Sequence, residues 1–162
     1  MYDTILVPTD GSAGCERVIS HAGELARFHD ADVLALYVVD ATSYTGLPME
    51  ASWEGVREVL DGKGETALAE VERLLDDVDV ETMTVEGRPS REIVRVARDE
   101  PVDCIVMGTH GRAGIDRLIL GSVAERVVRT APVPVVTVGF SAADEVDETP
   151  ESDPEPETAG SG

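Results

Sequence analysis

Lysine is almost missing from this chain: Lys63 is the single one, and the other 12 basic residues are arginine. Against 33 acidic residues this leaves a formal net charge of −20. A surface so acidic repels a phosphate backbone, which excludes a nucleic-acid binder. It suits very high salt, where self-repulsion is screened. A halophilic protein is therefore the expectation, with an ordinary acidic cytosolic protein as the alternative. Cysteine is scarce as well. Cys15 and Cys104 are too few and too differently placed for a disulfide framework or a zinc cluster. No apolar run reaches the roughly 18 residues that a membrane span needs. Met1-Tyr-Asp-Thr carries no basic region and no signal-peptide pattern, so the cytoplasm is the expected compartment.

What is present is a globular core. Hydrophobic residues make up 42% of 162 residues, enough for one domain. Residues 4–8 form an unbroken apolar run, as in a strand buried on both faces. Ser12 follows as a candidate cap of a first helix running to about residue 30, with Val18, Ala22, Leu25 and Ala26 on one face. His21 and His29 in that helix read as solvated surface histidines. Residues 31–39 read as a second strand and 40–52 as a loop. Helical spacing follows over 53–77, with a kink expected at Gly62 and Gly64. A third strand spans 80–86, and Pro89 suits the first turn of the next helix. The fourth strand spans 102–107, with Cys104 a small core residue, and the last helix reaches Thr130. The fifth strand spans 132–138, and its prolines place its start at a sheet edge. Residues 141–162 hold eight acidic residues, no basic ones and three prolines, the composition of a disordered acidic tail. The domain organisation is thus 1–140 folded and 141–162 tail.

Five alternations of strand and helix predict an α/β fold, a three-layer αβα sandwich around a five-stranded, doubly wound parallel sheet. With strand order 3-2-1-4-5 the switch point lies between strands 1 and 4, where ligands bind outside the carboxyl ends. Strand 1 ends at Pro8-Thr9-Asp10. Strand 4 ends at Met107-Gly108 and feeds a glycine-rich loop with Gly108, Gly111 and Gly114 close together. The loop runs to Gly121-Ser122, where Ser122 is a candidate N-cap. Glycines let a backbone approach a ligand, and helix N-termini attract phosphate. Strand, small-residue loop and helix start therefore make a phosphate cradle.

The spacing Gly108, two residues, Gly111, nine residues, Gly121-Ser122 matches G-x2-G-x9-G-[ST]. It resembles the nucleotide-binding branch of the universal stress protein family. The resemblance extends over residues 1–139. It includes Ile5-Leu-Val-Pro-Thr-Asp10, Leu36-Tyr-Val-Val39 (relatives often carry His at Tyr37) and Val133-Pro-Val-Val-Thr-Val138. The acidic, lysine-poor composition is similar to that of proteins from salt-loving archaea.

The family likeness implies an adenine nucleotide alpha-hydrolase-like fold and a bound adenine nucleotide, ATP or AMP, with Mg²⁺ on its phosphates. By the same likeness Asp10 faces the ribose or adenine, and Thr9 and Val38 meet the base through backbone groups. Met107 and Gly108 border base and ribose, while Gly111, Gly121 and Ser122 hold phosphates. Pro8 and Val123 complete the set. His110 either approaches phosphate or braces the loop. Arg112 either pairs a phosphate or faces solvent.

The apparatus of phosphoryl transfer is missing: there is no G-x4-G-K-[ST] and no carboxylate pair placed for two metals. The expectation is a regulatory stress-response binding module, at most a slow ATPase. The alternatives are a nucleotide-free dimeric scaffold of the same family and a weak ATP-cleaving or adenylating enzyme of the same fold. Relatives pair the fifth strand with its copy, which implies a homodimer through residues 133–138.

Overall fold

The structure, a computed structural model, describes residues 1–40, 42, 52–110 and 120–139. Its elements alternate along the chain: β1 (Thr4–Pro8), α1 (Cys15–His29), β2 (Asp32–Val39), α2 (Trp53–Leu74), β3 (Val80–Glu86), α3 (Pro89–Asp99), β4 (Cys104–Gly108), α4 (Ser122–Thr130) and β5 (Val135–Val138). The five strands form one sheet in the order β3-β2-β1-β4-β5, every pairing parallel. This is the predicted doubly wound order.

Strand alternation divides the core in two. Ile5, Val7, Val33, Ala35 and Tyr37 turn to the face covered by α1 and α2, where they meet Ile19, Ala22, Val71 and Leu75. Leu6, Leu34, Leu36, Ile105 and Met107 turn to the face covered by α3 and α4, against Ile93, Val94, Ala97 and Val127. Period-two side-chain alternation in a strand clad on both faces demands apolar residues at both parities. This explains why Ile5, Leu6 and Val7 are all fully buried. Burying one such side chain contributes about 1.5–3 kcal/mol. Cys104 lies wholly inside, and burial pushes its thiol pKa up, as befits a core residue.

Several local expectations change. Ser12 caps nothing with its side chain. Helix α1 starts later, with Gly14 at the N-cap, and Ser12 instead accepts the Cys15 amide on its carbonyl at 3.0 Å. Ser122 is the first residue of α4, and Gly121 holds the cap position with no side-chain cap bond. Helix α2 runs unbroken through Gly62 and Gly64. The fifth strand begins only at Val135, because Pro132 and Pro134 have no N–H for a ladder. His29 is not simply solvated: its Nδ1 accepts the Tyr2 amide at 3.4 Å, and its ring lies 4.6 Å from that of Tyr2. His21 stands 3.9 Å from Glu24. Of the loop expected over 40–52, only Asp40, Thr42 and Ser52 are among the described residues, and the acidic tail over 141–162 lies outside them. No described helix is long and apolar enough to cross a membrane.

Candidate functional site

The crevice begins with a missing hydrogen-bond donor. The Thr9 amide donates to the Leu36 carbonyl at 2.9 Å, so odd residues of β1 turn their main-chain groups to β2. Even residues turn to β4, as the Thr4 carbonyl does in accepting from Asp103 at 2.9 Å. Pro8 is even and has no N–H to give. β1 pairs β2 at five positions, Thr4 to Pro8, yet pairs β4 only at Ile5↔Cys104 and Leu6↔Ile105. The ladder therefore stops short at the carboxyl ends of the two strands, where the strand order reverses. A cavity of about 490 Å³ opens there.

The same parity aims Val38. Leu36 faces β1, whereas the Val39 carbonyl faces β3 and accepts from Gly87 at 3.0 Å. Val38, two residues beyond Leu36, therefore turns its amide and carbonyl to the β1 side, past the last paired residue of β1. A base-sized edge entering the cavity would meet a donor and an acceptor side by side.

The far wall is the start of α4. The first helical bond is Glu125 N–H to Gly121 carbonyl, 2.9 Å. The amides of Ser122, Val123 and Ala124 come before it and so have no acceptor within the helix. All three residues line the cavity. With the helix dipole, worth roughly half a positive charge at this end, they have the chemistry to hold an anion. The Gly121 amide does not join them. It donates to the Thr109 carbonyl at 2.7 Å, and the Thr109 amide is held by Val138 at 3.1 Å. Gly121 serves by close approach instead: a Cβ there would lie 3.1 Å from the Thr109 carbonyl oxygen.

Two carboxylates line the same cavity. Asp10 Oδ1 accepts the Ser12 amide at 2.9 Å and the Cys15 thiol at 3.3 Å, which fixes the turn leaving β1. Asp40 Oδ1 accepts the Thr42 amide at 3.0 Å and its hydroxyl. His110 Nδ1 lies 3.0 Å from Thr109 Oγ1, so the ring is tied to its own loop. Leu36, Leu60, Ile93 and Met107 make the walls largely apolar.

The cavity thus gathers Pro8, Thr9, Asp10, Val38, Met107, Gly108, His110, Gly121, Ser122 and Val123 from the sequence expectation. Gly111 and Arg112 lie outside the described residues. The Thr9 amide, expected to meet the base, is instead committed to Leu36. Among the lining residues, sequence reasoning missed Tyr37, Asp40, Leu60, Pro89, Ile93 and Ala124. Ile93 and Leu60 read as core apolar positions, and only tertiary packing separates a core wall from a cavity wall.

Amides, carboxylates and apolar side chains around one cavity suit a ligand that carries an anionic group, hydroxyls and a flat apolar part. Fold and cavity together define a doubly wound α/β protein with its crevice at the topological switch point. The universal stress protein family model matches residues 1–139. A universal stress protein of Methanocaldococcus jannaschii is 44% identical over 140 residues, 85% of this chain and 82% of the relative. The chain belongs to the universal stress protein family. The solved structure of a second Methanocaldococcus jannaschii universal stress protein superposes with a TM-score of 0.77 at 31% identity, covering 87% of this chain and 98% of that one. A universal stress protein solved in complex with cAMP gives a TM-score of 0.67 at 25% identity, covering 86% of this chain and 99% of that one.

Proposed function

We propose that this protein binds an adenine nucleotide, ATP or AMP, in the switch-point crevice and acts as a regulatory module in a stress response. The observation that carries the reading is the trio of amides of Ser122, Val123 and Ala124 at the start of α4, facing a cavity shared with Asp10 and Val38. Phosphate takes the amides, the ribose hydroxyls face Asp10, and the base edge meets the Val38 backbone. That a family member of this fold was solved with cAMP supports an adenine nucleotide as the ligand class. Among the described residues no group of three His, Cys, Asp or Glu could hold a metal. Mg²⁺ would accordingly ride on the phosphates and water, with the Ser122 hydroxyl at hand.

Calorimetry of the full chain with ATP, AMP and cyclic AMP in multimolar KCl tests the reading. Saturable heat at one site per chain is the expected result. Heat with none of the three leaves the family's fold without a nucleotide role, and pyrophosphate release would make the protein an enzyme.

The finer setting is part of the same proposal. The protein works in the cytoplasm of a salt-loving archaeon, and it pairs β5 with its copy. That strand is short and half-buried and sits at the open edge of the sheet, where apolar strands need cover. Sedimentation at twice 17.3 kDa is expected, and a mass near 17.3 kDa contradicts the dimer.

A further inference from the structure

Tyr37 is 4% exposed and lines the crevice. Its hydroxyl has no hydrogen-bond partner among the described residues, yet no fully buried side-chain oxygen there is left unsatisfied. The small accessible remainder of Tyr37 therefore includes the hydroxyl oxygen, and the cavity it lines is this one. A hydroxyl left accessible there, with no partner among the described residues, is open to one from outside the chain. A ligand in the crevice supplies one.

The ring belongs to the face of the sheet covered by α1 and α2, opposite the face that α4 covers. Helix α2 passes directly over it at Gly64. A Cβ at Gly64 would lie 2.7 Å from Tyr37 Cδ1 and 3.0 Å from Cε1. Glycine in mid-helix is unfavourable, and here it makes the seat for the ring. Gly62, in the same helix, has open space at that position.

We propose that the Tyr37 hydroxyl, seated by Gly64, is a ligand contact that reads the uncharged, nucleoside end of the bound nucleotide. A ligand anchored by phosphate at α4 and touching Tyr37 crosses the carboxyl end of β1 from one face of the sheet to the other. The assignment rests on the nucleotide reading above.

Adenosine and AMP, titrated separately into the full chain, test it. Tyr37→Phe weakens both by the same factor, about 3- to 10-fold for one hydrogen bond, at an unchanged melting temperature. Gly64→Ala, which drives the ring toward the cavity, weakens adenosine as well, whereas Gly62→Ala does not. Wild-type affinities in Tyr37→Phe overturn the proposal alone. Loss for AMP without loss for adenosine also overturns it, since the contact would then be to phosphate. If the wild-type chain binds neither compound, the nucleotide reading fails and takes this assignment with it.

Discussion

The Gly121 amide donates to the Thr109 carbonyl at 2.7 Å, so the two ends of the glycine loop are clasped before α4 begins. The clasp crowds any side chain at Gly121, where a Cβ would sit 3.1 Å from that carbonyl oxygen and 3.5 Å from His110 Cα. Gly121→Ala therefore pushes the Thr109 carbonyl and the start of α4 apart by a few tenths of an ångström. Its backbone (φ −60°, ψ 159°) is open to any residue, so the effect is one of crowding and not of strain. The expected result is a loss of AMP affinity of about 10-fold or more with a melting temperature lowered by about 2–4 °C, the shift of roughly 1 kcal/mol in a domain of this size. Calorimetry and thermal unfolding check it together.

Ser122 brings two donors to the proposed anion site, its hydroxyl and its amide, and substitution separates them. Ser122→Ala removes the hydroxyl alone. Ser122→Pro removes both, while the helix survives: proline is welcome at the first helical position, and the extended backbone of Gly121 suits a residue before proline. AMP binding should fall about 3- to 10-fold in Ser122→Ala. It should fall by about a further 3- to 10-fold in Ser122→Pro, because a second bond to the charged acceptor is lost. Adenosine affinity should stay at the wild-type level in both.

Asp103 anchors the opposite end of the sheet. Its Oδ2 accepts the amides of Asp3 at 2.8 Å and Thr4 at 3.0 Å, and these bonds hold its carboxyl pKa below the usual range. A depressed pKa stabilises the fold at pH values above the unfolded-chain value of about 3.9. That stability is lost as the pH falls through the lowered native value. Asp103→Asn should unfold at lower urea than wild type at pH 7, and the gap should close under strong acid. Equal urea midpoints at pH 7 would contradict the account.

The charge of −20 sets a salt dependence. Charge repulsion within the folded chain is screened as the Debye length falls to about 3 Å at 1 M. The urea midpoint should rise steeply between 0.1 M and multimolar KCl. A midpoint that does not move removes the halophilic reading.

Much of the fold was legible from the sequence because apolar runs in a clad parallel sheet must be continuous. The run of residues 4–8 and the β-rich run of 80–86 carried their strand boundaries to the residue. The strand order followed from topology, which brought Asp10 and Gly108 together. Bonding detail was not legible. Whether Ser12 or Ser122 caps a helix depends on where the chain first turns, which no local pattern fixes. The stop at Pro8 needed the pairing parity of three strands. Tyr37 stood out only as a place where relatives often carry His, and its contact with Gly64 joins residues from two distant elements. Gly62 and Gly64 suggested a kink because glycine weakens helices, but packing against Tyr37 and the core overrides that tendency.

The central claim is that the amides opening α4 hold phosphate while the Val38 backbone holds the base. Amide proton–nitrogen spectra of the full chain, titrated with AMP and then with adenosine, test it most directly. The account predicts that Ser122, Val123 and Ala124 shift with AMP alone and Val38 with both compounds. An AMP titration that leaves those three amides unmoved, or that moves them equally with adenosine, contradicts it.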